Sequence, residues 1–214
     1  MRTALVGFLL LLCSLGIAAS QEEVKRNKKL AVKKYVNTKE GLTGKLLEDY
    51  VDFTFEYPAV WNLVTDRKFD FVEVQRSVGT GKDEFTLEKF TVGHFSVSGN
   101  AEADKKLIPQ LLTTLDNQFA AGFPNYKKTY EGPTKLGGYD GTELRFRSEF
   151  KHPKKNLIQI WGRAVLIPDP KGGRIGAAVI MLGTSGAPEL KEEKDLGVKG
   201  ELPTIIKSFK LGKQ

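Results

Sequence analysis

The chain has 214 residues, of which 28% are charged and 40% are hydrophobic, and its formal net charge is +7. This composition is typical of a globular protein and excludes a chain that is disordered throughout. One Cys and two His supply all of its thiols and imidazoles, so most nucleophilic and metal-hydrolase sites would be hard to build.

The first twenty residues have the features of a secretory signal. Arg2 gives a basic start, residues 4–12 are apolar, and small residues precede Gln21. The apolar run is too short for a membrane span of about 20 residues. We therefore expect a signal over 1–20 and export to a periplasmic, lumenal or secreted location. Cys13 follows the large Leu12 inside this signal, which does not fit a lipoprotein attachment site.

Residues 21–47 are polar and rich in lysine, and they predict a flexible basic arm. Its candidate cations for an anionic surface are Lys25, Arg26, Lys28, Lys29, Lys33 and Lys34. Two interpretations remain open: the arm binds an anionic surface, such as phospholipid headgroups or an acidic partner, or it is a solvated spacer. No aromatic residues interleave with these cations, so nucleic-acid binding is not expected.

The first clear element is a strand over 51–57, where apolar and polar side chains alternate. We expect Pro58 to end it, because proline has no N–H for the sheet, and Trp61 to fold back onto the core. Residues 69–76 and 84–97 predict two further strands. The apolar alternation slips twice in 84–97, and a bulge near Gly93 would explain the second slip.

The pattern then changes to a helical period. Apolar residues three and four apart predict one helix face, made of Leu107, Ile108, Leu111, Leu112, Leu115 and Phe119. Pro109 leaves two alternatives. Either the regular helix begins near Leu107 with the proline in its first turn, or the helix is kinked at the proline.

Strand patterns return after Gly122. Residues 142–150, 157–167 and 174–182 predict strands, and the loop over 168–173 suits a hairpin. Both faces of 174–182 are apolar, so we expect cover on both sides. A short helix closes the chain over 202–209. Strands joined by short loops predict an antiparallel sheet flanked by helices, an α+β fold in a single domain over 48–214.

Three segments of this domain carry a resemblance to a known family. They are Phe53-x-Phe55-x-Tyr57-Pro58-x-x-Trp61-Asn62, the hairpin over 158–181, and Ile205-Ile206-Lys207-Ser208-Phe209. In order and spacing they are similar to the PsbP family, the extrinsic lumenal subunits of photosystem II and their bacterial relatives.

The resemblance implies a PsbP-like α/β/α sandwich, exported and bound to a larger assembly, that performs no chemistry. Some members of the family are linked to the retention of calcium and chloride. No cluster in this sequence matches a metal-retention motif, so calcium rests on analogy alone. We expect no cofactor and assign no metal ligand.

Two predicted strands carry a candidate binding patch. Arg145 and Arg147 share one face of the first strand, and Trp161 and Arg163 share one face of the second. If the strands are neighbours, an indole lies beside guanidinium groups, and Arg and Trp are enriched in binding hot spots. The alternative is a cross-strand charge ladder with Trp161 tucked under a helix.

We assign no catalytic residues. His94 is expected at a core or bulge position and His152 in an exposed loop, while the acidic residues lie among lysines and arginines in turn-like segments. The sequence therefore predicts a non-enzymatic exported module that binds a protein assembly or a membrane surface. The alternatives are a carrier for a small, lipid-like ligand and a hydrolase with converging carboxylates.

Overall fold

The computed structural model describes residues 31–64, 68–81, 84–151 and 157–212. The predicted signal, the arm cations Lys25, Arg26, Lys28 and Lys29, and His152 lie outside the described residues. Across those four ranges, no helix has the length and apolar character needed to cross a membrane.

Ten strands and three helices make up the described part of the chain. The strands are β1 (Val32–Val36), β2 (Phe53–Pro58), β3 (Asn62–Val64), β4 (Asp70–Val78), β5 (Phe85–Ser96), β6 (Lys127–Leu136), β7 (Tyr139–Lys151), β8 (Leu157–Ile167), β9 (Ile175–Thr184) and β10 (Lys210–Leu211). The helices are α1 (Gly44–Glu48), α2 (Ala101–Gly122) and α3 (Leu202–Ser208), and a 3₁₀ turn, Glu193–Asp195, precedes α3.

The strands form two sheets. The large sheet has the order β3-β4-β5-β9-β8-β7-β6, and the small sheet has the order β1-β2-β10. All the neighbouring pairs are antiparallel, as sequential strands with short connections favour. With α2 on one face of the large sheet and α3 on the other, the predicted α+β class is confirmed.

Helix α2 covers part of one face of the large sheet. Asn100 caps it, because its side-chain oxygen accepts hydrogen bonds from two N–H groups of the first turn. The helix begins at Ala101 and continues through Pro109, so the alternative that placed its start near Leu107 is wrong. The predicted apolar face packs on the sheet, with Leu112 fully buried.

The opposite face is covered by the small sheet together with α3. Phe53 and Phe55 of β2 lie against each other. Phe53 also contacts Phe209, which follows α3, and Phe55 contacts Phe90 of β5. Phe90 and Phe209 contact each other in turn. All four rings are buried, and truncating such a ring to alanine typically costs about 3–5 kcal/mol. The small sheet is an addition to the predicted fold. The sequence pattern predicted strand β2 but neither of its partners, β1 and β10.

Strand β9 lies in the middle of the large sheet, between β5 and β8. Ala177, Val179 and Met181 are buried on the side of the small sheet, and Ala178 packs towards α2. The prediction that this strand has cover on both sides is confirmed, although Ile180 and Leu182 remain half-buried on the α2 side.

The register of β4 and β5 contains two bulges, and one of them, at Leu87, accounts for the first slip in apolar alternation. Phe71 is an extra residue on β4 opposite Gly93, and Leu87 is an extra residue on β5. A bulge does lie beside Gly93, but its extra residue is on β4, so it does not explain the second slip. That slip arises because Phe95 is buried on the α2 side of the sheet, whereas Val92 is buried on the side of the small sheet. Next to Gly93, β5 pairs regularly with β9.

The predicted flexible arm requires a correction for residues 32–47. From Val32 onward the chain belongs to one compact unit: β1 pairs with β2, and α1 buries Leu46 in the main core. Strand β1 is mostly exposed, so backbone pairing holds it without the apolar alternation by which strands are recognised. Lys33 and Lys34 are exposed on this strand.

Candidate functional site

The four residues of the candidate patch meet on neighbouring strands. In the pairing of β7 with β8, Arg147 lies opposite Trp161 and Arg145 lies opposite Arg163. The expected adjacency of the indole and the guanidinium groups is therefore present. What each side chain can do depends on its own partners, which differ among the four.

Arg145 and Arg163 are engaged inside the protein by Glu143, a carboxylate that is 1% exposed. Arg145 donates from Nε to Oε1 at 2.7 Å, and Arg163 donates from Nε to Oε2. Arg163 also donates from Nη2 to the hydroxyl of Thr134 at 2.8 Å, and the Arg145 guanidinium lies 5.4 Å from the ring centroid of Tyr130. We call Glu143, Arg145 and Arg163 the Glu143 cluster.

Trp161 is only 3% exposed. It belongs to the main core and pairs with Gly183 of β9, at a position where an added Cβ would lie 2.6 Å from Leu190 and 2.8 Å from Leu196. Both leucines come from residues 186–201, which we call the covering segment. The strand face that carries the candidate patch is thus covered at Trp161, by this segment instead of by a helix.

Arg147 is the exposed member of the patch. It lies in a groove of about 590 Å³ between β7, β8, the start of β6 and the covering segment. The lining includes Asn125, Lys127, Arg145, Arg147, Ser148, Glu149, Gln159, Trp161 and the run 191–194. Arg147, Lys127 and Lys191 make no ion pair with any residue that the structure describes.

The other four arginines of the described ranges have partners. Arg76, Arg145 and Arg163 pair with carboxylates, and Arg174 donates to the carbonyl of Ser98. Arg147 and the exposed Arg174 are therefore the two guanidinium groups of the described ranges that have no carboxylate partner, and of these two Arg147 is the one that lines the groove.

Local hydrogen bonds build the groove wall formed by the covering segment. Asp195 accepts from the N–H groups of Lys191 and Glu192 and pairs with Lys199 at 2.8 Å. Lys199 is the main cause of the lowered pKa of Asp195. Glu193 accepts from the hydroxyl of Thr129. Although Asp195 lies among lysines in a turn-like segment of the sequence, its side chain is buried.

Arg76 attaches the covering segment to the large sheet. Its guanidinium lies 3.2 Å from Glu88, 3.0 Å from Glu189 and 3.1 Å from Glu201, and we call these four residues the Arg76 cluster. Trp61 donates from Nε1 to Glu201 at 2.5 Å. Glu189 and Glu201 lie near the two ends of the covering segment, so one side chain secures both ends.

The pKa values of Glu88 and Glu189 in this cluster are shifted in opposite directions. Burial raises the pKa of Glu88 more than the neighbouring Arg76 lowers it, since a desolvated carboxylate favours its neutral form. The hydrogen bond from Arg76 lowers the pKa of the more exposed Glu189.

Sequence reasoning missed the Arg76 cluster, although a signal was present. Glu88 has the same strand parity as Phe90 and Val92, which are core residues. A carboxylate at a core position requires a partner, and Arg76 is its cross-strand neighbour. Lys127 and Lys191 of the groove left no comparable signal, since they are ordinary exposed lysines in the sequence.

His94 is half-buried on β5, as the sequence suggested. Its Nδ1 lies 3.2 Å from Oδ2 of Asp49, and its ring lies against Phe71. Burial lowers the pKa of His94, with Asp49 acting in the opposite direction. Within the described ranges, no three His, Cys, Asp or Glu side chains are grouped to hold a metal ion.

No protein-family model and no curated protein matches the chain. Among solved structures it is similar to the solution structure of cyanobacterial PsbP (CyanoP) from Synechocystis sp. PCC 6803, with 14% identity and a TM-score of 0.46 over 86% of this chain and 94% of that one. It is also similar to a crystal structure of a protein of unknown function from Pseudomonas aeruginosa, with 10% identity and a TM-score of 0.29 over 61% of this chain and 76% of that one. These likenesses concern the fold and do not place the chain in a family.

Proposed function

We propose that this domain is a non-enzymatic binding module whose groove receives an acidic segment of a partner protein. One observation carries the proposal: Arg147 lies in a groove with its guanidinium unpaired, whereas the other arginines of the described residues have partners. Arginine forms two parallel hydrogen bonds with a carboxylate, and this geometry makes it a frequent interface residue.

The surroundings of Arg147 support an acidic ligand. Lys127 of β6 and Lys191 of the covering segment add two cations to the lining of the groove. Of the three lining carboxylates, Glu192 pairs with Lys194 and Glu193 accepts from Thr129, while Glu149 makes no ion pair with the described residues and is outnumbered by Arg147, Lys127 and Lys191. An incoming carboxylate would therefore meet cations that are not already neutralised, and complementary charge favours both encounter and orientation.

A direct test uses the full chain and a fluorescently labelled peptide rich in Asp and Glu. Fluorescence anisotropy at low salt should give saturable binding, and Arg147→Glu should weaken it about tenfold, with Lys127→Glu and Lys191→Glu each showing a smaller loss. Lys207→Glu is the matched control, because Lys207 is also exposed and lies on α3, outside the groove.

Site-specific photo-crosslinking extends the test to the native partner. A photoreactive residue at position 191 should capture a protein that one at position 207 does not, and Arg147→Glu should abolish the capture. Equal loss of peptide binding in Arg147→Glu and Lys207→Glu would refute a groove site. Arg147-dependent binding to anionic vesicles, without binding to the peptide, would assign the surface to a membrane instead.

Export of this module remains a prediction from residues 1–20. Expression of the full chain in a bacterial host should yield a processed protein that begins near Gln21 and fractionates outside the cytoplasm. Mass spectrometry of the purified protein checks the cleavage site, and an intact chain that begins at Met1 would contradict the prediction.

A further inference from the structure

A second cavity lies at one end of the layer between the two sheets and is separate from the groove. It has a volume of about 490 Å³, within the range of roughly 300–1,000 Å³ typical of small-molecule sites. We call it the end cavity. Residues of the loop before β2, the start of β7, the β8–β9 hairpin and the end of β10 line it.

The interior of the end cavity is apolar. Ala177 belongs to the main core, and Val51, Tyr139 and Leu211 pack against that core. The hydroxyl of Tyr139 accepts from the N–H of Leu211 at 2.9 Å, and the hydroxyl of Tyr50 donates to a backbone carbonyl at 2.8 Å. Because both hydroxyls are already bonded, the two tyrosines offer mainly ring surface to a ligand.

The rim of the end cavity carries charges that are unequally engaged. Asp169 accepts from two backbone N–H groups of the hairpin loop. Asp52 lies 3.4 Å from the hydroxyl of Tyr50, which donates to the carbonyl of Asn37 at the shorter distance of 2.8 Å. Lys39 and Lys171, by contrast, have no ion pair with the residues in the described ranges. The Lys39 ammonium lies 5.4 Å from the ring centroid of Tyr50, which places it beside the apolar wall.

We propose that the end cavity binds an amphiphilic carboxylate, with its apolar chain against Val51, Ala177 and Leu211 and its head between Lys39 and Lys171. Burial of the chain supplies a non-directional driving force. The two ammonium groups supply charge-assisted hydrogen bonds that fix the orientation of the head. This inference is independent of the groove and of the acidic partner proposed for it.

The test titrates the full chain with decanoate, decanol and acetate, each kept below its aggregation concentration. Amide chemical shifts from NMR locate the site, and calorimetry gives the affinity. Decanoate should shift the signals of Tyr50, Ala177 and Leu211, and it should bind about fivefold or more tightly than decanol. Acetate, which lacks the chain, should not bind measurably.

Two sets of variants separate the head from the chain. The double variant Lys39→Gln and Lys171→Gln should reduce decanoate binding to the level of decanol and leave decanol unchanged. Ile175→Trp should fill the cavity and abolish binding of both, with the fold checked by circular dichroism. Lys106→Gln, an exposed lysine of α2 away from the cavity, is the matched control and should change nothing.

Several outcomes would overturn the inference. Equal affinity for decanoate and decanol, or decanoate binding that survives the double lysine variant, would refute the role of the rim. Shifts confined to other residues would refute the site, and binding to anionic vesicles without binding to free decanoate would point to a membrane surface. Arg147→Glu should leave decanoate binding intact, so failure of the groove proposal would not affect this one.

Discussion

The Arg76 cluster and the Glu143 cluster have opposite compositions. The Arg76 cluster sets one guanidinium against three carboxylates, whereas the Glu143 cluster sets one carboxylate against two guanidinium groups. At the centre of each is a fully buried glutamate: Glu88 is 0% exposed and Glu143 is 1% exposed. A buried glutamate is thus surrounded by an excess of carboxylates in the Arg76 cluster and by an excess of guanidinium groups in the Glu143 cluster.

Because their compositions differ, the two clusters have different effects on the covering segment and on the groove. In the Arg76 cluster the surplus carboxylates belong to the covering segment, so the segment is attached through an arginine of the sheet. In the Glu143 cluster the surplus guanidinium comes from the sheet, and Arg145 lines the groove. The Arg76 cluster therefore fixes the covering segment, which forms one wall of the groove. The Glu143 cluster has one guanidinium in excess, so the strand surface that lines the groove remains positively charged.

The largest expected effect comes from Arg76→Met. This change leaves three carboxylates without their shared cation, and one of them is fully buried, so we expect a loss of about 3–5 kcal/mol in the free energy of unfolding. Urea denaturation measures it. Lys105→Met, which breaks an exposed pair with Glu102, is the matched control and should cost at most about 0.5 kcal/mol. Similar losses in the two variants would show that the Arg76 cluster contributes no special stability.

Glu143→Gln should cost less, about 1–3 kcal/mol, because it leaves polar groups without their charged partner. The Arg145 side chain is 34% exposed and can turn towards solvent, so only Arg163 remains poorly compensated. Urea denaturation under the same conditions allows a direct comparison. A loss equal to or larger than that of Arg76→Met would contradict the ranking of the two clusters.

Glu88→Gln should change the pH dependence of stability. The pKa of Glu88 is raised in the folded state, so its contribution is fully present below the pKa of the unfolded chain and is lost as the pH rises through the folded pKa. The glutamine variant lacks this loss. We expect wild-type stability to fall relative to the variant as the pH rises above about 4.5, the ordinary value for Glu. Parallel stability curves from pH 4 to pH 8 would be the contrary result.

The smallest effect is expected for Glu189→Gln. Glu189 is 43% exposed and pairs with Arg76 at 3.0 Å, so loss of the pair should cost about 0.5 kcal/mol at neutral pH. The pKa of Glu189 is lowered by Arg76; its contribution is therefore present above the unfolded pKa and is lost as the pH falls through the folded pKa. Thermal unfolding at pH 7 and pH 3 should show a difference from wild type only at the higher pH.

Strand patterns in the sequence predicted most of the large sheet but little of the small one. Strands β7, β8 and β9 have long, regular alternation, and the structure places them where expected. Strands β1 and β10 are short and largely exposed, so their side chains show no alternation that the sequence analysis could recognise. Their pairing with β2 depends on backbone hydrogen bonds between residues far apart in the chain.

The candidate patch was also predicted only in part from the sequence. The patch depended on the condition that the strands of Arg147 and Trp161 are neighbours, and the pairing of β7 with β8 meets that condition. It did not predict that Trp161 would be covered by the covering segment, or that Arg145 and Arg163 would share Glu143. Those relations depend on which distant segment folds over the sheet, and charged residues in loops leave no periodic signal.

The fold class, the order of the main strands along the chain and the presence of α2 between β5 and β6 were predictable from the sequence, because they follow from local periodicity and turn residues. The tertiary structure alone decided which charges are neutralised inside the protein and which remain free at the groove and the end cavity. An ion pair forms only where two charged groups are close and buried in three dimensions, and this depends on the whole fold. A strand or a helix, by contrast, can be recognised from the periodicity of residues that are adjacent in the sequence.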